Sequence, residues 1–396
     1  MNVVLHGDYL GTKLHLAYDG DSYEWISCLD DEFLIFGSRN GPDLKECLDV
    51  AGIEIKSFEA TPHGISIRSI VGDIQNVPWF HIMPKDHFKR LISELLDGLW
   101  GFTVENMGGY YINNVRSNRE LLDRLKQPFV NQLMIKKISK RDRAADILNF
   151  SPKKGESVAP KTKYSQSGSI TGRLTVTSGP NILTLKKDYR KIFMSRFKGG
   201  KIVQVDISSL EPRIALAVSG KKSPDDVYTH ISNAVMSGSI SRSDAKISVL
   251  SCIYGMGPKA LGKILPDKIN PREILTEVKR YFDINSLQSM LEDQIRSEGN
   301  IKNLYGRKIE SGDALVNHFL QSTGVDVSFS VFESILDDLD ALSTRYVPIY
   351  VIHDAILLDI APGVMKTLAK VTEGGIYVEK LKCKFPVKID IITEEK

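Results

Sequence analysis

The stretch KIVQVDISSLEPRIAL, residues 201–216, limits the possible folds most, because an apolar strand there delivers a carboxylate directly before a helix. The apolar residues among 202–205 are typical of a buried strand, and residues 214–216 of the buried side of the following helix. Asp206 lies at the junction. A carboxylate in this position is costly unless it caps the helix or binds a cation, and this stretch alone favours the cap.

A second carboxylate is predicted at the tip of a hairpin. Residues 347–360, VPIYVIHDAILLDI, are two apolar, β-rich runs that only His353 and Asp354 interrupt, as in a tight turn. For an isolated hairpin, a simple turn residue would be the better explanation of Asp354. Two strands that each present one aspartate, however, suit a pair of Mg²⁺ ions about 3.5–4 Å apart, as in-line phosphoryl transfer requires. Phosphoryl transfer is therefore the leading hypothesis.

Between these stretches, residues 239–257 carry a row of side chains at four-residue spacing, on a helix that Gly255 and Gly257 can end. The row consists of Arg242, Lys246, Leu250 and Tyr254. A solvated basic turn leading into a buried turn would give the same pattern, so the helix alone decides nothing. Beside two aspartates, the row suits a nucleoside triphosphate, with its phosphates on the two cations and its base near Tyr254.

These three stretches resemble, in order and spacing, motifs A, B and C of the family A DNA polymerases, the group that includes bacterial DNA polymerase I. DISSLEPR at 206–213 matches the family's DYSQIELR at its Asp, second Ser, Glu and Arg. Residues 242–255 keep the R-x3-K-x7-YG frame of motif B, and IHD at 352–354 matches VHD. Together the three matches are far more specific than any one of them.

Two further stretches support the resemblance. TGRL at 171–174, followed by Pro180-Asn181, looks like the family's TGRLSS…PN. Residues 317–326 look like its N-x3-QGTAAD. The resemblance covers roughly residues 162–396.

The resemblance implies a mixed α+β fold, a right-hand polymerase with an antiparallel palm sheet, helical fingers and a reduced thumb behind a small α/β N-terminal module. The expected bounds are 1–110 for the N-terminal module, 111–163 for the thumb and linker, 164–219 and 301–396 for the palm, and 220–300 for the fingers. A helical pattern runs from Asn118 to about Leu148 in the thumb segment. A thumb this short implies a weak hold on the duplex unless a processivity factor or another replication protein compensates.

Residues 1–110 are predicted to form strands and short helices, with strands at VVLHG, LHLAY, FLIFG and ISIRSIVG and a helix over 85–99. Family members often carry a proofreading exonuclease here. FLIFGSRNGPDLKECL resembles the second motif of that domain, with Asp43 in the place of a metal ligand. No other metal-binding motif is evident, since residues 30–32 are better interpreted as a loop. We therefore expect that residues 1–110 are either a degenerate exonuclease or an unrelated module, and that the protein does not proofread.

The resemblance implies a catalytic set for two-metal nucleotidyl transfer. Asp206 and Asp354, with the backbone carbonyl of Ile207, would hold two Mg²⁺ ions. Arg242 and Lys246 would neutralise the triphosphate, and Lys246 would also give a proton to the leaving pyrophosphate.

The sugar and phosphate pocket both keeps and changes the family pattern. Glu211 with Tyr254 would exclude a 2′-OH. Tyr228 replaces a histidine that touches the triphosphate in the family, and Leu250 replaces an aromatic ring that packs on the sugar.

Glu211 also has a structural explanation. With Ser208 as N-cap it would complete a capping box, but Pro212 would then stand where the helix needs an N–H group. With Ser209 as the cap, the missing N–H of Pro212 is harmless and Glu211 is free for the site.

The DNA primer–template and dNTPs are the expected partners. Arg173, Asn317 and Gln321 would contact the primer–template, and His353 would steady the primer end. Two alternatives stay open: a single-subunit RNA polymerase, against which Glu211 argues, and a non-catalytic accessory palm that only binds primer–template.

Composition sets the remaining expectations. A net charge of +3 does not by itself indicate nucleic-acid binding, but basic clusters at 136–163 and 186–201 suit a phosphate backbone. Four scattered cysteines form no zinc or disulfide pattern, and no secretory signal or membrane-length apolar run is present. We expect a soluble, cytoplasmic protein without a membrane partner, of a phage type acting in a bacterial host.

Overall fold

The computed structural model describes residues 2–29, 33–41, 44–53, 62–72, 83–266, 269–310 and 313–394. The chain divides into two compact units, residues 1–116 and 117–396, and the division falls within helix Gly109–Arg124. The finer domain bounds expected from the sequence stay predictions. Among the described residues, no helix combines the length and apolar character that a membrane crossing requires.

The first unit is built on a four-stranded sheet packed against one long helix. The strands lie in the order Tyr23–Ile26, His15–Tyr18, Val3–Leu5 and Leu34–Phe36, with only the last pair parallel. Helix Lys85–Met107 buries an apolar stripe at three- and four-residue spacing, which includes Leu91, Leu95 and Leu99. The shorter helices of this unit are Gly7–Leu10, Leu44–Val50 and Pro62–Val71.

The expected strand at ISIRSIVG is wrong, because this segment belongs to helix Pro62–Val71. Proline is favoured in the first turn of a helix, since its φ angle is preset and it lacks only an N–H that would have no helical partner. Of the three isoleucines in this segment, only Ile67 packs against the core, since Ile65 and Ile70 are 58% and 84% exposed. Asp43 and residues 30–32 lie outside the described residues.

The second unit contains a four-stranded antiparallel sheet that carries both predicted aspartates. Its strands lie in the order Tyr346–Ile352, Ala355–Ile360, Lys201–Ile207 and Val387–Glu394. The register pairs Asp206 with Ala355, and therefore brings Asp354 to the same end of the sheet. The strand predicted from residues 202–205 is confirmed and extends over Lys201–Ile207, and the hairpin predicted at 347–360 is also confirmed.

Helix Leu315–Ala341 packs across helix Leu210–Val218, which follows the Asp206 strand. Gly324 favours the close approach, since a Cβ atom there would lie 3.2 Å from Leu210 Cδ2 and the leucine side chain would have to shift. The remaining helices are Gln132–Asp142, Val227–His230, Arg242–Ile253, Pro258–Leu261, Pro271–Phe282, Ile284–Glu298 and Val364–Val371. Two-stranded ribbons join Phe129–Val130 to Phe193–Met194, Lys163–Ser165 to Thr175–Ser178, Ile301–Lys302 to Lys308–Ile309, and Ile376–Val378 to Cys383–Phe385.

The helical pattern expected from Asn118 to about Leu148 is confirmed only in part, because it is interrupted. Helix Gly109–Arg124 ends before Pro128, and the chain then forms strand Phe129–Val130 before the next helix begins. Proline lacks an N–H and disfavours helical geometry in the residue before it, which explains the break.

Candidate active site

One cavity of about 400 Å³ in the second unit gathers almost every predicted site residue. Its walls come from the TGRL loop, the end of the Asp206 strand, the hairpin tip, helix Arg242–Ile253 and helix Leu315–Ala341. The predicted residues that line it are Arg173, Asp206, Ile207, Glu211, Tyr228, Arg242, Lys246, Leu250, Tyr254, Gln321, His353 and Asp354.

Backbone geometry sets the two aspartates. Asp206 is the penultimate residue of its strand, and Asp354 follows His353, whose φ of 54° makes the tight turn. The N–H of Ile207 donates to the Asp354 carbonyl at 3.0 Å, which ties the hairpin tip to the strand end. The helix N-cap is Ser209, so Asp206 is not the cap. The register that frees Glu211 is therefore confirmed.

The two carboxylates lie in an environment that resists negative charge. Burial, followed by the charges of Asp206 and Glu211, raises the pKa of Asp354 to about 7. Burial also raises the pKa of Asp206. Within the described residues, neither aspartate forms an ion pair with a lysine or arginine. Carboxylates held together in this way suit a divalent cation, which would compensate their charge.

The donor set available to a cation is small. The part of the chain that the structure describes contains no group of three or more His, Cys, Asp or Glu side chains arranged for a metal. The predicted site instead combines two carboxylates with the main-chain carbonyl of Ile207, which also borders the cavity. Such oxygen donors fit Mg²⁺, which usually keeps several waters and takes one or two carboxylates together with substrate phosphates.

A polar chain behind Asp206 was not predicted. Gln204 donates from Nε2 to the Asp206 carboxylate at 3.2 Å, and accepts from Arg190 Nη1 at 2.6 Å. Gln204 and Asp206 share a strand face because they are two residues apart. The signal in the sequence was a polar residue, Gln204, within an otherwise apolar strand. In the structure Gln204 is only 4% exposed.

Helix Arg242–Ile253 presents its two cations to the cavity over an aromatic ring. The cationic groups of Arg242 and Lys246 lie 5.5 and 5.9 Å from the ring centre of Tyr228. Arg242 also pairs with the Asp226 carboxylate at 2.7 Å. Asp226 in turn caps the short helix that carries Tyr228, accepting from the Tyr228 N–H at 3.0 Å. Tyr228 and Asp226 therefore help to hold these cations at the cavity wall.

Glu211 lies between two phenol groups. Burial, followed by the charge of Glu211, raises the pKa of Tyr254. Burial raises the pKa of Tyr228 to about 12. Both phenols therefore stay neutral at physiological pH.

The residues predicted to contact DNA do not all reach the cavity. Arg173, Gln321 and His353 line it, whereas Asn317 lies one helical turn before Gln321 and accepts from its Nε2 at 2.7 Å. Asn317 thus orients the Gln321 amide. Burial and the neighbouring charge of Arg173 lower the pKa of His353, which keeps its imidazole neutral.

Several lining residues escaped the sequence analysis. Helix Leu315–Ala341 adds Gly324, Val325 and Ser328, which follow Gln321 at spacings of three, four and seven residues. These spacings define one helix face, so the helical period extended from Gln321 would have identified them. They supply part of the cavity wall.

Comparison with known proteins identifies the relatives of this site. The model of the family described as DNA polymerase family A matches residues 113–395. No curated protein matches the chain. Among solved structures, the chain is similar to the POL domain of Pol1 from M. smegmatis, solved in complex with DNA primer-template and dNTP, with 15% sequence identity and a TM-score of 0.46. The match covers 88% of this chain and 62% of that one.

Proposed function

Because the chain belongs to DNA polymerase family A, we propose that it is a template-directed DNA polymerase that adds deoxynucleotides to a primer 3′-OH. One observation carries the proposal. Two partly buried carboxylates, two cations near a tyrosine ring and a Glu–Tyr pair all border one cavity of about 400 Å³. Phosphoryl transfer depends on positioning and on charge compensation, which the carboxylates with bound cations and the two basic side chains would supply.

Asp206, Asp354 and the carbonyl of Ile207 are the residues that would hold two Mg²⁺ ions, which activate the 3′-OH and stabilise the leaving pyrophosphate when bound. Arg242 and Lys246 bind the triphosphate oxygens by charge-assisted hydrogen bonds. Lys246 donates a proton to pyrophosphate as it leaves.

Sugar selection follows from Glu211 and Tyr254. Both side chains line the cavity beside the proposed position of the nucleotide sugar, where a 2′-OH would meet the tyrosine ring and the carboxylate. Rejection of ribonucleotides then rests on a clash and on a desolvated polar group. Leu250 provides no ring for the sugar face, although it lines the cavity together with Tyr228 and Tyr254.

Arg173, Gln321 and His353 contact the primer–template, with Asn317 fixing the amide of Gln321. Exposed lysines on helix Gln132–Asp142 and on the 186–201 segment supply positive charge for the duplex backbone. A duplex held mainly in this way would dissociate readily, so a processivity factor is a further proposed partner.

Primer extension on a defined template, with dNTPs and NTPs in parallel and Mg²⁺ present, tests the proposal. Wild-type protein should extend with dNTPs, and EDTA should stop extension. Asp206→Asn and Asp354→Asn should each lower the rate by about a thousandfold or more, because carboxylates that share metal ions act as a unit.

Asp390→Asn is the matched control, since Asp390 lies on the same sheet, pairs with Lys187 at 2.6 Å and does not line the cavity. It should extend primers at close to the wild-type rate. Near wild-type extension by either active-site variant would mean that the catalytic site lies elsewhere.

A further inference from the structure

A buried polar network lies beneath the TGRL loop, outside the cavity. Its centre is Asp326, which is fully buried on helix Leu315–Ala341. The Asp326 carboxylate accepts from Asn303 Nδ2 at 2.7 Å and from Asn118 Nδ2 at 3.0 Å, and lies 3.6 Å from the Arg307 guanidinium. A buried carboxylate is costly unless it is paired and hydrogen-bonded, so these partners hold three separate chain segments to one point.

The network reaches the loop at Gly172. A Cβ atom on Gly172 would lie 2.5 Å from the guanidinium carbon of Arg307, and the φ of this residue is 71°. The guanidinium therefore packs directly on the backbone, and only glycine leaves room for it. On the other side, Gln166 Nε2 donates to the Gly172 carbonyl at 3.4 Å.

Both contacts with Gly172 lead back to Asp326. Arg307 lies beside the carboxylate, and Gln166 Oε1 accepts from the same Asn118 amide that donates to Asp326. The peptide that precedes Arg173 is thus fixed from two directions. Arg173 itself projects into the cavity that contains Asp206 and Asp354.

We propose that Arg307 and Asp326 are positioning residues that aim Arg173 at the primer terminus. The inference rests on the proposed function, because Arg173 has this target only if the cavity binds primer–template. Arg307 and Asp326 touch no substrate. They fix the backbone of the loop, and a misplacement of about 1 Å at a site of this kind is enough to lower the rate strongly.

A double-mutant cycle tests the coupling. Arg307→Lys keeps the charge but not the planar fork, and Asp326→Asn keeps the shape but not the charge. Each variant is made in the wild-type and in the Arg173→Ala background. The readouts are kcat and KM for single-nucleotide addition to a matched primer and to one with a 3′-terminal mismatch. All variants are assayed below the lowest melting temperature of the set.

Each single variant should lower kcat/KM for the matched primer by about tenfold, mainly in kcat, and should reduce the preference for a matched terminus. In the Arg173→Ala background, the same changes should cost no more than about twofold, because Arg173 is no longer there to be aimed. The inference would be overturned if Arg307→Lys or Asp326→Asn lowered kcat/KM by the same factor with and without Arg173.

Arg196→Lys is the matched control, since Arg196 also bonds a buried aspartate, Asp359, at 3.0 Å. Its effect should be the same with and without Arg173. Primer–template affinity is also measured for every variant of the cycle, because it reports on the contact of Arg173 without requiring turnover. A wild-type protein that binds but never extends primers would refute the proposed function alone, whereas multiplicative losses in an active protein would refute only the positioning role.

Discussion

Asp354 is the residue at which function and stability are most directly opposed. Its carboxyl has a pKa raised from the ordinary 3.8 to about 7, so its ionised form destabilises the folded state. The cost is absent below about pH 4, where the group is protonated in both states, and is complete above pH 7. Asp354→Asn should therefore stabilise the metal-free protein by about 1–3 kcal/mol at pH 8, and by progressively less as the pH falls toward 4.

Urea unfolding in EDTA at several pH values measures this effect. Asp390→Asn is the control of opposite sign, because bonds from Lys187 and Lys388 lower the pKa of Asp390. That carboxylate stabilises the folded state above its ordinary pKa, and the contribution is lost as the pH falls. A pH-independent difference between wild type and Asp354→Asn would contradict the burial argument.

Glu211 governs the choice of sugar at the same scale. Glu211→Ala removes both the bulk and the charge beside Tyr254, and should raise kcat/KM for NTPs relative to dNTPs by about tenfold or more. Use of dNTPs should change much less. Tyr254→Phe, which keeps the ring and removes only the hydroxyl, should shift the ratio less than Glu211→Ala does. Steady-state incorporation of single dNTPs and NTPs measures both ratios, and unchanged selectivity in both variants would contradict the assignment.

Helix Arg242–Ile253 is the element on which nucleotide binding depends. Its first turn is held by a capping box, in which Ser241 Oγ accepts from the Asp244 N–H at 3.1 Å. Ser241→Ala should cost about 1 kcal/mol and let the turn that carries Arg242 fray. KM for dNTPs should then rise by up to about fivefold with little change in kcat, as single-turnover and steady-state kinetics would show.

The matched control is Asn270→Ala, which removes the cap of helix Pro271–Phe282. This helix packs behind the first and does not line the cavity. The control should lower the melting temperature by a similar amount without a change in KM. An equal rise in KM for both variants would indicate a global loss of stability rather than a local one.

Elements with one strong period were predictable from the sequence. The Asp206 strand, the hairpin tip and the Gly255 stop of helix Arg242–Ile253 follow from apolar runs and turn residues, and all three are confirmed. The failures have a common cause. ISIRSIVG is rich in β-branched residues, and of its three isoleucines only Ile67 packs against the core, so local propensity favoured the wrong structure at Pro62–Val71.

Contacts between distant segments were not predictable in the same way. The Gln204 and Arg190 chain behind Asp206 and the partners of Asp326 join residues that no sequence period connects. The part of the cavity wall that runs from Gly324 to Ser328 was predictable only in part. Its helical period was visible in the sequence, but nothing there indicated that this helix face borders the cavity with the aspartates.

At the scale of the whole molecule, we predict that residues 1–110 do not degrade DNA, because the sequence offers no convincing set of metal-binding carboxylates there. A primer with a 3′ mismatch should persist when it is incubated with the protein and Mg²⁺ but no nucleotide. Denaturing gel electrophoresis of a 5′-labelled primer gives the measurement. Shortening of the primer that disappears in Asp43→Ala would reveal an exonuclease instead.

The two-residue turn between Ile352 and Ala355 makes chain length, rather than any side-chain contact, the property that keeps the aspartates together. Successive residues of a strand point to opposite faces, so one inserted residue would send Asp354 or its strand partners to the wrong side of the sheet. Insertions and deletions at this turn should therefore abolish activity, even where point substitutions nearby are tolerated. Loops that merely connect helices carry no such restriction on their length.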